Sequence, residues 1–540
     1  MQKILWKPSK DQIKSSRISE FINFLNTQKN SSLTTSDELY QWSINKPEDF
    51  WSSFWQFSGI VSSKLWDSVL ENGNDILNAT WFNGARLNYA ENLLKRRDSE
   101  IAIIFRGEDK VEWKFTYKEV YQIVAKLAQS LRKLGVKSGD RVAAFMPNLP
   151  HTVMAMLATT SIGAIWSSCS PDFGVAGVLD RLGQITPKVL FTVDGYFYNG
   201  KQLSCIEKII DITKQLPTVE KIIIVNYANL NNNISTLKNA CSFEDFIKNS
   251  TAKTIDFEQV PFNHPLFIMF SSGTTGIPKC IVHSVGGTLI QHLKEHILHT
   301  NLKENDRIFY YTTCGWMMWN WLVSALATGA TLMLYDGAPM LKSNNGILWD
   351  YVDAHKINVF GTSAKYITSL EKSGYIPLKE KKLTSLTTIL STGSPLLPEN
   401  YDFVYTSIKQ DIRLCSISGG TDIISCFALG NPTKPIYRGE LQQIGFGLSV
   451  KILLDNGKEA RTDEKGELSC TTPFPCQPIY FWNDPKKEKY KKAYFDKIPN
   501  IWCHGDFASM TKHGGLVIYG RSDTTLNPGG IRPFKLQMRH

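Results

Sequence analysis

Short apolar runs alternate with longer amphipathic segments through the middle of the chain, between residues 115 and 430. Typical runs are KVLFTV at residues 188–193, PLFIMF at residues 265–270 and TLMLYD at residues 331–336. Strands that are buried on both faces are apolar along their whole length, and parallel strands need helical crossovers between them. The pattern therefore predicts an α/β fold, and the large number of strands favours two doubly wound sheets.

The two ends of the chain differ from this middle part. Residues 1–110 are predicted to form a mostly helical cap, followed by two α/β subdomains over residues 111–434. Short strands separated by glycine turns, such as EKGELSC at residues 464–470, predict a small antiparallel β-barrel over residues 435–522. The longest apolar stretch, residues 153–166, is too short to span a bilayer and predicts a buried helix that runs into a strand.

The composition narrows the range of functions. Lys plus Arg is 60 and Asp plus Glu is 50, a mild positive excess that suits small anionic substrates such as nucleotides and carboxylates. No basic stripe interleaved with aromatic residues is present, and the basic run at residues 485–492 is interpreted as a solvated face, so no nucleic-acid partner is expected. Ten scattered cysteines without a Cys-x-x-Cys pair, and an N-terminus without an apolar signal segment, favour a soluble cytoplasmic protein with no membrane partner.

The sequence SSGTTGIPK, from Ser271 to Lys279, carries the strongest local signal for chemistry. It follows the apolar strand LFIMF directly, and its glycines permit a tight loop. Hydroxyl and backbone N–H groups of such a loop can surround a phosphate, and Lys279 adds a positive charge. A simple polar turn is the alternative interpretation. The loop lacks the Walker A spacing, which disfavours a P-loop NTPase.

Four further motifs follow: STGSPLLP at residues 391–398, SISGGTD at residues 416–422, WCHGDFA at residues 502–508 and YGRSDTTLNPGGIR at residues 519–532. The first three place small or acidic residues just after a strand, where open α/β sheets bind their ligands.

Three side chains of these motifs suit a bound nucleotide. Asp422 could hold Mg²⁺ against phosphates, and the Asp506 carboxylate could accept hydrogen bonds from ribose hydroxyls. Arg521 could contact phosphate or ribose. Each acid alone is more often a cap or turn residue, but the order and spacing of the motifs favour a common site.

The ordered set SSGTTGIPK, GGTD, HGDFA and GRSD resembles the core motifs of the adenylate-forming superfamily, which includes acyl-CoA synthetases, nonribosomal adenylation domains and luciferases. Within it, WSSCSPDFG at residues 166–174, the segment at residues 312–326 and YFWNDP at residues 480–485 look like the acetoacetate–CoA ligases. The resemblance implies an ATP-dependent acid–thiol ligase, with ATP, Mg²⁺, acetoacetate and CoA as its small-molecule partners. The acid would form an acyl-adenylate and pyrophosphate, and CoA would then give acetoacetyl-CoA and AMP. A related short-chain acyl-CoA synthetase is an alternative.

The resemblance also implies roles for individual residues. Thr274, Lys279 and Asp422 would be catalytic, Asp422 would be the Mg²⁺ ligand, and Asp523 would be the hinge to a further domain. The nucleotide site would comprise Ser271, Ser272, Gly273, Thr274, Thr275, Gly276, Lys279, Gly393, Ser394, Pro395, Thr421, Asp422, Asp506, Arg521 and Arg532.

The acyl pocket is expected between Trp316, Met317 and Met318 on one wall and Gly419 with Gly420 on the other. In the related acetyl-CoA synthetases, the position of Gly419 carries a Trp that shortens the pocket. The resemblance therefore implies room for a four-carbon β-keto acid, and Gly419→Trp is expected to shift the preference towards acetate. The alternative is that the two glycines serve only a tight backbone turn.

The family continues beyond the hinge into a small mobile domain that carries a catalytic Lys. This sequence departs from the family after NPGGIR at residues 527–532, so residues 523–540 are interpreted as the hinge and a truncated stub. We expect the C-terminal mobile domain to be missing, and we assign no residue as the catalytic Lys. A second hypothesis is therefore a catalytically impaired protein that binds ATP and a carboxylate without completing the reaction.

The sequence HLKEH, from His292 to His296, matches a zinc-protease pattern, with His299 one turn further on. Two histidines at positions i and i+4 share a helix face and could bind zinc. No partner acid stands out, and the adenylate-forming motifs already account for this region. The segment is interpreted as a surface helix behind the phosphate loop, and a metalloprotease is the third hypothesis.

Overall fold

Two large mixed sheets form the centre of the protein, whose computed structural model describes residues 3–230, 237–271 and 277–522. The first sheet has eight strands and the second has seven. In spatial order, the strands of the eight-stranded sheet are Ala240–Ser242, Lys221–Val225, Val189–Val193, Arg141–Phe145, Ile165–Cys169, Pro265–Ser271, Lys279–Ser284 and Tyr480–Phe481. Those of the seven-stranded sheet are Arg413–Ser416, Thr388–Thr392, Val359–Ser363, Arg307–Tyr310, Thr331–Asp336, Ile101–Gly107 and Val111–Thr116.

Most strands in both sheets run parallel, as the apolar runs predict. The antiparallel pairs lie at one end of each sheet: Lys279–Ser284 with both of its neighbours in the first sheet, and Val111–Thr116 with Ile101–Gly107 in the second. The strand Val189–Val193 is buried along its whole length, which explains its uninterrupted apolar sequence. The expectation of an α/β fold with two large sheets is confirmed, and both sheets are mixed.

Helices cover the sheets and bury their apolar faces. The helix Tyr117–Lys133 begins at a capping box between Thr116 and Glu119 and buries residues at helical spacing, among them Val120, Val124 and Leu131. The stretch at residues 153–166 divides into a helix and a strand as expected. The helices after the cap are Tyr89–Leu93, Tyr117–Lys133, Pro150–Ser161, Val175–Ile185, Ile206–Lys214, Phe243–Ile247, Val285–Lys294, Met317–Ser324, Ile347–Ala354, Ala364–Lys372, Pro377–Glu380, Pro398–Phe403 and Glu488–Tyr494.

Over residues 3–88, the N-terminal cap is helical only in its first part. Its helices are Lys10–Lys14, Arg17–Lys29, Ser36–Asn45 and Pro47–Ser58, and its later part contains the short strands Ser62–Lys64, Ser68–Glu71, Thr80–Asn83 and Arg86–Leu87. The predicted boundary at residue 110 is wrong, because strand Ile101–Gly107 pairs with Thr331–Asp336 inside the seven-stranded sheet. Its sequence, IAIIFRG, carries the same apolar signal as the other sheet strands.

The region that follows the large sheets is antiparallel, as predicted. Among the described residues it forms two open sheets, where a single β-barrel was expected. One sheet has strands Ser418–Gly420, Ser425–Leu429 and Gln443–Ile444, and the other has Val450–Leu453, Gly466–Cys470, Trp502–Met510 and Leu516–Arg521. The predicted hinge and stub, residues 523–540, lie outside the described structure.

No helix within residues 3–230, 237–271 and 277–522 combines the length and the apolar character needed to cross a membrane.

Candidate active site

A cavity of about 330 Å³ lies between the carboxyl ends of the seven-stranded sheet and the four-stranded antiparallel sheet. The strands Thr388–Thr392 and Arg413–Ser416 lead into one wall, and Trp502–Met510 with Leu516–Arg521 form the facing wall. The carboxyl edge of a parallel sheet collects loop residues that are far apart in sequence. The predicted site residues that line this cavity are Trp316, Met317, Met318, Gly393, Ser394, Pro395, Gly419, Gly420, Thr421, Asp506 and Arg521.

The turn Gly393–Pro395 lies at the end of strand Thr388–Thr392. Gly393 has a φ of +89°, in the left-handed region where a side chain is strained. A Cβ atom there would lie 3.6 Å from the Trp316 ring, so the turn and this indole are close neighbours. Together they form a flat, apolar edge of the cavity that suits a planar ring.

Lys279 and Asp422 form an ion pair beside the cavity. The Lys279 Nζ donates to Asp422 Oδ1 at 2.7 Å, and the Tyr494 hydroxyl donates to the same oxygen. Burial favours the neutral carboxyl, but the charge of Lys279 and these hydrogen bonds outweigh it and lower the pKa of Asp422 to about 2. The side chain of Asp422 is therefore an ionised carboxylate at neutral pH.

Asp506 and Arg521 are cross-strand neighbours in the four-stranded sheet. The guanidinium Nη1 of Arg521 lies 3.6 Å from Asp506 Oδ1, and the Asp506 side chain is buried while that of Arg521 is nearly half exposed. The pair thus presents an acceptor and a mobile cation at the same wall of the cavity.

Ser271 and Lys279 lie opposite each other across an antiparallel strand pair, so the two ends of the predicted phosphate loop are close together. The Ser271 hydroxyl is buried and has no hydrogen-bond partner within the described residues. The loop residues between them, Ser272, Gly273, Thr274, Thr275 and Gly276, lie outside the described structure, as do Asp523 and Arg532.

The acyl wall differs from its prediction at Gly419. A Cβ atom on Gly419 would lie 2.0 Å from the carbonyl oxygen of Ser425 and 2.4 Å from the Cα of Cys426, in the paired strand. The missing side chain is therefore required by strand pairing, and the strands must separate to accept Gly419→Trp, which makes that substitution a poor test of acid preference. At Gly420, the equivalent atom meets His504 at 3.4 Å, an ordinary contact distance.

Alanine substitutions at these two adjacent glycines are a matched test of this packing. Gly419→Ala is expected to lower the free energy of unfolding by about 1–3 kcal/mol, because the methyl group overlaps backbone atoms. Gly420→Ala is expected to change it by less than about 0.5 kcal/mol. Urea unfolding of both variants measures the difference, and equal losses would contradict the strand pairing described above.

Sequence reasoning missed Tyr494, which contacts Asp422. The basic run at residues 485–492 was interpreted as a solvated face, but the helix Glu488–Tyr494 buries Tyr490 and Tyr494, four residues apart. The Tyr494 ring stacks on Trp502 with 3.8 Å between ring centroids. The spacing of the two tyrosines was the available signal, because a helix buries residues four positions apart on one face.

The histidine cluster is not on a surface helix, so that interpretation is wrong. His292, His296 and His299 are fully buried, in the helix Val285–Lys294 and the π-helical turn Glu295–His299 that follows it. Their ring nitrogens are 2.6–2.9 Å from the carbonyl oxygens of Ile424, Trp321 and Gly430, respectively. Burial lowers the pKa of His296 to about 3, so it is neutral. In the described ranges, no group of three His, Cys, Asp or Glu side chains could hold a metal ion.

These features define a class of protein, an α/β protein with a nucleotide-sized cavity between a mixed seven-stranded sheet and an antiparallel four-stranded sheet. The family profile described as AMP-binding enzyme matches residues 91–477, and the profile described as acetyl-coenzyme A synthetase N-terminus matches residues 36–93. The chain belongs to the AMP-binding enzyme family.

Particular members of this family are similar along nearly the whole chain. The acetoacetyl-coenzyme A synthetase of Rhizobium meliloti (strain 1021) is 52% identical over 531 residues, which cover 98% of this chain and 81% of the relative. That of Gallus gallus is 50% identical over 538 residues, covering 98% and 80%. The solved structure of acetoacetyl-CoA synthetase from Streptomyces lividans matches with a TM-score of 0.92 and 39% identity, covering 97% of this chain and 81% of that chain. The resemblance predicted from the motifs is confirmed. The comparisons do not support the predicted absence of a C-terminal domain.

Proposed function

We propose that this chain is an acid–thiol ligase that activates acetoacetate with ATP and transfers the acyl group to CoA. The observation that carries the proposal is the similarity to acetoacetyl-CoA synthetases over 98% of the chain. The cavity gathers the residues expected to bind the nucleotide and the acid, which supports the same conclusion. Ten cysteines that are all free thiols suit a reducing, cytoplasmic compartment.

The first step joins two anions. A carboxylate oxygen of the acid attacks the α-phosphorus of ATP, the bond to pyrophosphate breaks, and pyrophosphate leaves with the bonding electrons. Lys279 is proposed as the cation that offsets this charge, and it lies beside Asp422, the acid proposed to hold Mg²⁺ against the phosphates. Thr274 and the other loop residues are proposed as phosphate donors.

Mg²⁺ fits the chemistry of Asp422. The carboxylate is ionised, one oxygen is held by Lys279 and Tyr494, and the other, Oδ2, lies 3.6 Å from the point where a Gly420 Cβ would stand, at the cavity wall. One carboxylate, phosphate oxygens and water make a typical Mg²⁺ coordination shell. When bound, the ion would neutralise phosphate charge.

We assign the remaining roles from the residues that line the cavity. The Gly393–Pro395 turn would frame the adenine, Asp506 would accept hydrogen bonds from the ribose, and Arg521 would contact phosphate or ribose. Met317 and Met318, with Trp316, would line the acyl end, where flexible thioethers adapt to a keto acid. The CoA thiol then forms a carbon–sulfur bond as the acyl–phosphate bond breaks and AMP leaves.

The test measures the adenylation step and the thioester-forming step with different acids on the same protein preparation. We expect acetoacetate to drive exchange of labelled pyrophosphate into ATP, and CoA addition to yield acetoacetyl-CoA. Acetate is expected to be poorer by at least about tenfold in kcat/KM, because it leaves the acyl end unfilled. An equal or greater rate with acetate would favour a short-chain synthetase of different preference. Nucleotide binding without exchange for any acid would contradict the ligase.

A further inference from the structure

His504 lies beside the cavity, and the proposed function assigns it no role. It stands next to Gly505, whose φ of +84° marks a bulge in strand Trp502–Met510. Bulges redirect neighbouring side chains, and here both His504 and Asp506, on either side of the glycine, are buried, at 4% and 8% exposure. Because Asp506 lines the cavity, His504 lies immediately behind the same wall.

The hydrogen bonds of the imidazole identify its tautomer. The indole Nε1 of Trp502 donates to His504 Nδ1 at 3.4 Å, so Nδ1 is an acceptor and the neutral ring carries its hydrogen on Nε2. Among the residues that the structure describes, Nε2 has no hydrogen-bond partner. Asp506 Oδ2, at 3.7 Å, is beyond hydrogen-bond distance. A buried donor without an acceptor is costly and therefore points to a ligand.

The position of Gly420 shows where the donor points. A Cβ on Gly420 would lie 3.4 Å from His504 Cε1, 3.5 Å from Nε2 and 3.6 Å from Asp422 Oδ2. Gly420 lines the cavity, so the imidazole edge lies behind a residue that has no side chain to separate the two further. His504 Nε2 therefore lies close to the carboxylates of both Asp422 and Asp506.

The proposed roles of these two acids define which part of a nucleotide would lie beside His504. In the proposed function, on which this inference rests, Asp506 holds the ribose and Asp422 lies at the phosphates. The α-phosphate is attached to the ribose C5′, so it belongs between them. We propose that His504 Nε2 donates a hydrogen bond to an oxygen of the α-phosphate, in ATP, in the acyl-adenylate and in AMP.

The test compares binding of AMP with binding of adenosine, by titration calorimetry. His504→Ala is expected to weaken AMP binding by about ten- to a hundred-fold, as for a lost hydrogen bond to a charged group. Adenosine lacks the phosphate, so its affinity is expected to stay within about twofold of the unmodified protein. His504→Gln, which keeps an N–H donor, is expected to recover most of the AMP affinity. His355→Gln, a histidine beside Glu112 away from the cavity, is the matched control.

Two results would overturn the assignment. One is an unchanged AMP affinity in His504→Ala, and the other is an equal loss for AMP and adenosine, which indicates a structural role only. An unmodified protein that fails to bind AMP would overturn both this assignment and the proposed function. AMP binding without activation of acetoacetate would count against the proposed acid alone, since the AMP–adenosine comparison still decides the role of His504.

Discussion

Lys279→Met is expected to slow acetoacetate-dependent pyrophosphate exchange by about a hundred- to a thousand-fold, the typical cost of removing one preorganised charge-stabilising group. Met has a similar length and keeps the stem packed near the rings of Tyr494 and Phe481, which lie 5.2 and 5.9 Å from Nζ. The loss therefore reports on charge rather than on volume. Initial exchange rates at saturating ATP measure it.

Two further variants test whether the loss of exchange rate is specific to the positive charge of Lys279. Lys279→Arg keeps the positive charge and is expected to be slowed less than Lys279→Met. Lys492→Met removes an exposed lysine of the nearby basic run and is expected to leave the rate unchanged. A Lys279→Met rate within about tenfold of the unmodified protein would contradict the assigned role of Lys279.

The Lys279–Asp422 ion pair is also expected to make the free energy of unfolding depend on pH in the acid range. The pKa of Asp422 is lowered to about 2, from an ordinary value of 3.8, so the folded protein holds this proton more weakly than the unfolded chain. The pair therefore stabilises the fold above the ordinary value, and this contribution is lost as the pH falls towards 2. Lys279→Met is expected to flatten this part of the dependence of the unfolding free energy on pH.

The local sequence was sufficient to predict a site residue where that residue lies within or directly after an apolar segment. Asp506 and the Gly393–Pro395 turn come directly after or within apolar segments, and the structure places both at one cavity. The boundary error at strand Ile101–Gly107 had a local signal as well, because its apolar run is as clear as the others. These features depend on residues that are neighbours along the chain, so the sequence alone is enough to predict them.

Long-range contacts account for what sequence reasoning missed. The helix Val285–Lys294 carries its polar side chains, Thr288, Gln291, His292 and Lys294, on one side, which is typical of a surface helix. In the fold, the histidines at its end contact backbone oxygens more than 130 residues away, at Ile424 and Gly430. Similarly, the strand that excludes a side chain at Gly419 pairs with it through a register that no local pattern reveals.

Glu295 illustrates how such contacts shape the acyl end of the cavity. Its fully buried carboxylate accepts hydrogen bonds from Trp321 Nε1 at 2.8 Å and from Gln291 Nε2 at 3.0 Å. It also accepts from Ser425 Oγ at 2.5 Å and from the Cys426 N–H at 3.3 Å. Trp321 belongs to the helix that carries Met317 and Met318, while Ser425 and Cys426 line the cavity. One carboxylate therefore fixes two walls relative to each other.

Glu295→Ala is expected to lower the free energy of unfolding by about 3–5 kcal/mol, because it leaves several buried donors unpaired and the Lys294 ammonium without its counter-charge. Lys294 Nζ lies 3.9 Å from Glu295 Oε1, and both side chains are fully buried. The double variant Lys294→Met/Glu295→Gln removes both charges and keeps an amide oxygen for the donors, so it is expected to be more stable than Glu295→Ala. Urea unfolding of the unmodified protein, Glu295→Ala and the double variant measures the order of their stabilities. A Glu295→Ala loss below about 1 kcal/mol, or a double variant less stable than Glu295→Ala, would contradict the view that this buried carboxylate holds the two walls together.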